Sequence, residues 1–303
     1  MSFSGDVKEE LVKLENDARH CQIAELAAIF GYSGAIRTDE TGAYVIEIQS
    51  DAPFVAVRCQ MLLQKLFRFD QSLSDEQGQN ILHLDKTDSD VIKKILQTIK
   101  YKEDNLVNPL VIKSLCCKRA YLRGAFLSIG SMSNPEKGYH LEFVCGDTQQ
   151  AGQLMDILMF CNIRAKVVAR KKYQVVYIKE SEEIVELLNV IGAHISLMNL
   201  ENLRILKDMR NSINRRVNCE AANITKTVNA ATKQIDDIQY IKEHYGFDNL
   251  ADNLRQMAEL RLEYPDATLK ELGEHLTPTV GKSGVNHRLR KLSELAEKLK
   301  TGG

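Results

Sequence analysis

Ala120-Tyr-Leu-Arg-Gly-Ala-Phe-Leu-Ser-Ile-Gly-Ser131 is an apolar helix-like stretch, peppered with small residues and closed by a glycine. Its pattern already occurs in Ala24-Glu-Leu-Ala-Ala-Ile-Phe-Gly-Tyr-Ser-Gly-Ala35. A shift of 96 positions lays Cys21 on Cys117, Ala24 on Ala120 and Leu26 on Leu122. The same shift lays Phe30 on Phe126 and Gly34 on Gly130. An echo at a fixed offset marks a duplicated unit. With Ala27 and Ala28 on one copy and Gly124 and Ala125 on the other, two helix backbones can approach closely and pack side by side.

Working outward, residues 5–18 read as a helix with Val7, Leu11 and Leu14 on one face. After the first echo, residues 34–42 carry turn residues between short β-like pieces, and residues 43–48 alternate as a strand. Residues 53–67 have helical spacing, 70–79 read as a polar loop, 81–84 as a strand, and Val91, Ile92, Ile95 and Ile99 mark another helix. The second copy repeats the order. A helix at 117–129 is followed by a turn at 131–138, a strand at 139–145 and a helix at 151–160. Strands at 163–169 and 173–179 and a helix at 182–191 complete it. Helix, two strands, helix, two strands, helix, given twice, predicts an α+β duplication with two sheets.

The 303 residues suffice for two or three domains, and 44% hydrophobic with 27% charged residues is ordinary globular composition. A formal net charge of −1 means that any nucleic-acid surface is a local patch. Cys21, Cys59, Cys116, Cys117, Cys145, Cys161 and Cys219 are odd in number and form no C-x-x-C pair. They read as reduced buried thiols of a cytoplasmic protein, with neighbouring Cys116 and Cys117 poorly placed to chelate one metal together. No metal or other cofactor is expected. The N-terminal stretch is charged and amphipathic rather than a signal peptide, and no apolar run approaches the ~18 residues of a spanning helix, so no membrane role is expected.

From Leu197 to about Arg216 the pattern is a long stiff helix with Leu200, Leu203, Leu206 and Ile213 on a stripe, and residues 217–247 also read as helical. Leu250, Leu254, Met257 and Leu260 mark the next helix, ended by Tyr264-Pro265-Asp266. Thr268-Leu-Lys-Glu271 is a capping box that opens a short helix over 269–276. After a turn at 277–281, a third helix is expected to start with Ser283 as N-cap. Val285, Leu289, Leu292, Ala296 and Leu299 form its inward stripe, which turns Ser283, His287, Arg290 and Lys291 outward with Asn286 on the flank. Residues 277–300 hold six Lys or Arg against two Glu. That fits a helix whose N-terminal half enters a major groove, where Arg pairs with guanine and Asn with adenine. A solvated basic helix of a three-helix bundle has the same periodicity.

On these stretches the chain resembles the WhiA family of bacterial sporulation and cell-division regulators. The resemblance runs from Ser2-Phe-Ser and Val7-Lys-Glu-Glu-Leu11 through the two repeats. It continues through Asn211-Ser-Ile-Asn-Arg-Arg-Val-Asn-Cys-Glu-Ala-Ala-Asn223 and Lys282-Ser-Gly-Val-Asn-His-Arg-Leu-Arg-Lys291. It implies a duplicated LAGLIDADG-like αββαββα domain joined by a helical connector to an all-α helix-turn-helix domain. The expected boundaries are 1–104 and 105–195 for the repeats, 196–225 for the connector and 226–303 for the helix-turn-helix. The implied partner is double-stranded promoter DNA, with a second regulatory protein such as a sigma factor as a further candidate, in the cytoplasm at the nucleoid.

LAGLIDADG nucleases hold divalent metal with one carboxylate at the C-terminal end of each paired helix, because a hard cation needs oxygen ligands. Laid on that motif, Leu122-Arg-Gly-Ala-Phe-Leu-Ser-Ile-Gly130 puts Ile129 at the metal position, and the first repeat puts Ser33 there. The expectation is therefore a non-catalytic DNA-binding transcriptional regulator. Phosphate contacts are assigned to Lys282 and Arg288, and base contacts to Ser283, Asn286, His287, Arg290 and Lys291. Arg164, Lys166 and Arg170, alternating with Ile163, Ala165 and Val167, would add a basic sheet face, with Lys171 and Lys172 at the hairpin tip. Arg215 and Arg216 lie in a connector strip that is also basic. The rivals are a metal-dependent endonuclease with a relocated site at Asp39 and Glu40, and a protein-docking adaptor.

Overall fold

A computed structural model of the chain describes residues 2–15, 18–38, 40, 44–50, 53–70, 73–76, 79–84 and 88–302. Asp39, half of the proposed relocated metal site, lies outside the described residues. The chain divides into two units, 1–207 and 208–303.

The first unit opens with α1 (Phe3–Lys13), whose Ser2 hydroxyl accepts from the Gly5 amide and whose Val7 and Leu11 are buried. The first repeat is α2 (Arg19–Ser33), β1 (Gly34–Thr38), β2 (Tyr44–Ser50), α3 (Phe54–Phe67), β3 (Ser74–Glu76), β4 (Gln79–Leu84) and α4 (Ser89–Ile99). The second is α5 (Leu115–Ile129), β5 (Gly130–Met132), β6 (Leu141–Cys145), α6 (Thr148–Phe160), β7 (Lys166–Arg170), β8 (Tyr173–Ile178) and α7 (Ser181–Ile191). The two four-stranded antiparallel sheets have corresponding orders, β1-β2-β4-β3 and β5-β6-β8-β7. The duplicated αββαββα architecture is thus present strand for strand.

Helices α2 and α5 form the seam between the repeats. Each buries nine residues, from Cys21 to Phe30 and from Cys117 to Leu127. Their low amphipathicity follows from position: a helix enclosed on most sides has no polar face to keep. A Cβ added at Gly124 would stand 2.6 Å from the Glu25 carbonyl oxygen and 3.0 Å from Ala28 Cβ, so the crossing requires hydrogen there. The seam buries charge as well. Glu25 accepts from Arg58 Nε at 2.6 Å and Nη2 at 3.1 Å, and from Arg123 Nη1 at 3.0 Å.

Several expected elements differ. The loop assigned to 70–79 contains β3, and the turn at 131–138 begins with the last residues of β5. Both strands are three residues long and exist because a longer neighbour pairs with them. β7 starts at Lys166, so Arg164 precedes the strand. The expected stiff connector and the segment after it are one helix, α8 (His194–His244), with no Gly or Pro to interrupt it. Glu10 of α1 receives the amides of Ile195 and Ser196 at its start, at 2.8 and 2.9 Å. Its expected apolar stripe is buried only at Leu200; Leu206 and Ile213 are exposed.

In the second unit, Ile238 and Ile241 near the end of α8 pack with α9 (Asp252–Glu263), α10 (Leu269–Glu274) and α11 (Lys282–Thr301). Met257 and Ala258 of α9, Leu272 of α10, and Val285, Leu289, Leu292 and Ala296 of α11 join this core, with Leu250 and Leu276 from the flanking loops.

Candidate nucleic-acid interface

The candidate interface is built on α10 and α11. The capping box forms as its spacing requires: the Thr268 amide donates to Glu271 at 2.7 Å and the Glu271 amide donates to Thr268 Oγ1 at 3.3 Å. The Thr268 amide, and after it the Thr268 hydroxyl, hold the Glu271 carboxyl below its ordinary range. The chain then doubles back, and the Val280 amide donates to the Gly273 carbonyl at 3.0 Å. A Cβ at Gly273 would come within 2.0 Å of the Val280 oxygen, so this turn accepts glycine alone. Gly281, not Ser283, is the N-cap of α11, and the helix starts at Lys282. The expected N-cap is thus corrected: Ser283 lies within the first turn.

Two polar links brace the unit, the first between α9, α8 and the loop before α10, the second between α11 and α8. Arg261, 3% exposed, donates to Gln234 Oε1 from Nε and Nη2 and to the Ala267 carbonyl from Nη1. At the far end of α11, Lys300 Nζ lies 2.9 Å from buried Asp237, and that partner raises the lysine pKa. The stripe Val285–Leu289–Leu292–Ala296 is inward, so Lys282, Ser283, Asn286, His287, Arg290 and Lys291 are exposed and Arg288 is half-buried. Arg290 Nε donates to Glu294 Oε1 at 2.9 Å one turn on, which raises the arginine pKa and lowers that of the glutamate. An exposed pair of this kind is weak, and an incoming base or phosphate can replace it.

One groove contains Lys226, Gln234, Thr268, Lys270, Lys282 and Asn286. Lys226 and Lys270 extend the basic rim. The sequence does not single out Lys270, because the short helix carrying it is acidic overall.

The auxiliary positions divide. Arg164 donates from Nε to Glu183 Oε1 at 2.6 Å and from its amide to Oε2 at 2.9 Å, so its guanidinium is engaged. Arg170 stands 3.6 Å from Glu142. All of β7 is exposed, Val167 and Val168 included, so the strand has no basic face opposed to a buried apolar one. The expected alternation is corrected by position: β7 is an edge strand. Lys171 occupies the hairpin tip with φ of 55°, and Lys172 lies over the Tyr173 ring. Arg215 and Arg216 are exposed on α8, the latter paired with Glu220 at 3.1 Å.

At the positions laid on the nuclease metal motif, Ser33 is the last residue of α2 and Ile129 the last of α5. Neither side chain offers a carboxylate. At the opposite end, the structure corrects the reading of the cysteines. Cys116 and Cys219 are exposed rather than buried. The packing of α2 on α5 brings His20 and Cys21 beside Cys116 and Cys117. Among the described residues, His20, Cys21, Cys116 and Cys117 form the group of metal-capable ligands that lies within 4.8 Å.

A duplicated LAGLIDADG-like body carried on the same chain as a helix-turn-helix unit defines the class of protein. Family models described as the WhiA N-terminal LAGLIDADG-like domain, the WhiA LAGLIDADG-like domain and the WhiA C-terminal HTH domain match residues 19–83, 118–210 and 213–296. The chain belongs to the WhiA family. It is 47% identical to the "Probable cell division protein WhiA" of Lachnoclostridium phytofermentans, over 99% of this chain and 100% of the relative. Its identity to the protein of the same name from Lachnospira eligens is 46%, over 99% and 98%. The crystal structure of full-length DUF199/WhiA from Thermatoga maritima matches with a TM-score of 0.61 at 26% identity, over 98% of this chain and 99% of that one. No helix among the described residues is long and apolar enough to cross a membrane.

Proposed function

We propose that this chain is a non-catalytic, sequence-specific DNA-binding regulator of transcription acting in cell division, with chromosome segregation or sporulation as related settings. The observation that carries the reading is α11. Its apolar stripe is consumed by packing, which leaves Lys282, Ser283, Asn286, His287, Arg290 and Lys291 outward on the N-terminal half. A rigidly packed helix with Arg and Asn outward and lysines beside them suits base readout flanked by phosphate contacts. The names of the relatives support the cell-division setting. Ser33 and Ile129 support loss of cleavage, since hydrolysis of a phosphodiester by bound metal needs oxygen ligands at those helix ends. A sigma factor is a candidate second partner, and the exposed lysines of the β7–β8 hairpin are candidate auxiliary phosphate contacts.

The test is binding of the full-length chain to sites selected from genomic DNA, read by fluorescence anisotropy. Arg290→Ala weakens the selected site roughly 10- to 100-fold and relaxes one base position. Lys282→Ala weakens all sequences alike and flattens the salt dependence by about one phosphate contact. An Arg290→Ala protein with unchanged affinity and motif refutes the assignment of α11. Nicking of plasmid DNA in Mg²⁺ or Mn²⁺ by the wild-type chain refutes the non-catalytic part.

A further inference from the structure

The N-terminal ends of α2 and α5 carry chemistry that DNA binding does not use. His20 and Cys21 are the second and third residues of α2, and Cys116 and Cys117 are the second and third of α5. Packing of the two helices turns a separation of nearly a hundred residues into contact. His20 Nδ1 lies 3.2 Å from Cys117 Sγ, 3.3 Å from Cys21 Sγ and 4.0 Å from Cys116 Sγ. All four ligand atoms are within 4.8 Å of one another. A tetrahedral zinc ion, with bonds of ~2.3 Å to sulfur and ~2.05 Å to nitrogen, separates nitrogen from sulfur by about 3.5 Å and sulfur from sulfur by about 3.8 Å. The three nitrogen-to-sulfur distances straddle the first figure.

We propose that His20, Cys21, Cys116 and Cys117 form a structural site for a soft divalent cation, zinc by preference. Three thiolates and an imidazole suit zinc and disfavour magnesium or calcium, which take oxygen donors. Four protein ligands close the coordination sphere, so the site holds rather than catalyses. Each thiol releases its proton to solvent as the ion binds. Ser114 supplies the outer support. It is the N-cap residue of α5 yet makes no capping bond; its hydroxyl donates to Cys117 Sγ at 3.0 Å and lies 3.2 Å from Cys116 Sγ. The positive ends of two helix dipoles also face the sulfurs, which favours negative ligands. Cys21 and Cys117 are buried, whereas His20 and Cys116 are exposed and border an open groove, so an ion has a path inward. The site is not a relic of the nuclease centre. Ser33 and Ile129 stand at the other end of two 15-residue helices, about 20 Å away at 1.5 Å per residue.

The experiment uses the full-length chain, purified and kept under a non-chelating phosphine reductant. Metal content is measured by mass spectrometry. The stripped protein is then titrated with Co²⁺ for its thiolate charge-transfer and tetrahedral d–d bands, and with Zn²⁺ against a chromophoric chelator. One equivalent of zinc and a tetrahedral cobalt spectrum are expected. His20→Ala and Cys116→Ser, both at exposed positions and checked by circular dichroism, lower zinc affinity by more than about 100-fold. Cys219→Ser, on α8, leaves it unchanged. Failure to bind cobalt or zinc near one equivalent overturns the proposal, as does an unaltered zinc affinity in the His20→Ala/Cys116→Ser double variant.

Discussion

Glu25 is fully buried where α2 meets α3 and α5, and both of its oxygens are taken by guanidinium groups. Arg58 also donates from Nη1 to the Val12 and Leu14 carbonyls at 3.0 and 2.8 Å, and Arg123 donates to Ile191 at 2.8 Å. One carboxylate thus ties three helices and, through its arginines, the C-terminal ends of α1 and α7. Glu25→Gln keeps the shape but strands two buried cations, and should cost ~3–5 kcal/mol in urea denaturation of the first unit. Unchanged stability would mean that water reaches both arginines. Lys8 gives the pH counterpart. Its ammonium is packed close to the Phe126 ring, and burial lowers its pKa to about 8. The unfolded chain keeps that proton up to ~10.4. Between these values the unfolded state holds the extra proton, so this contribution to stability is full above the upper value and lost as pH falls through about 8. The stability of wild type minus that of Lys8→Met should therefore rise by on the order of 2 kcal/mol from pH 8 to pH 10.5. A flat difference would place the ammonium in solvent. At this scale legibility follows range. The Thr268–Glu271 box was readable because its members are three residues apart, whereas partners of Glu25 33 and 98 residues away leave no local trace.

Elements were legible where their own residues decide them. The apolar spacing of α3, α4 and α7 and the alternation of β6 appear in the sequence because one face of each is buried. The strands β3 and β5 were not, because three residues carry no period and the neighbour provides the pairing. β7 misled because an exposed edge strand with valines on it has the composition of an inner one. The α2–α5 crossing is the element-scale prediction. Gly124→Val places its Cβ and methyl groups against the Glu25 carbonyl and Ala28, forcing the helices apart. The expected loss is about 2–3 kcal/mol, read from the thermal midpoint of the first unit with the second unit's midpoint as internal control. An unshifted midpoint would mean that the seam has slack.

Over the whole molecule, the duplication and the two kinds of domain were in the sequence, since the echo and the α11 stripe are both periodic signals. The approach of His20 to Cys116 is not legible in the sequence, although the repeat lays Cys21 on Cys117: a repeat tells which residues correspond, not which ends of two helices touch. The hydrophobic clusters of the two units share no residue. Calorimetry of the full chain should therefore resolve two unfolding transitions, and residues 208–303 alone should reproduce one of them. A single transition for the full chain, with an unfolded fragment, would show that the units fold as one.

The seam has a further consequence. Each repeat contributes one helix to an interior that is complete only when both are present, so a single copy has an unfinished inside. Such a unit is stable only by meeting its twin, at a concentration-dependent cost that fusion into one polypeptide removes. Fusion also ends the demand that a surface match itself. A histidine facing a cysteine at one pole and a serine opposite an isoleucine at the other are asymmetries that a pair of identical chains has no means to hold.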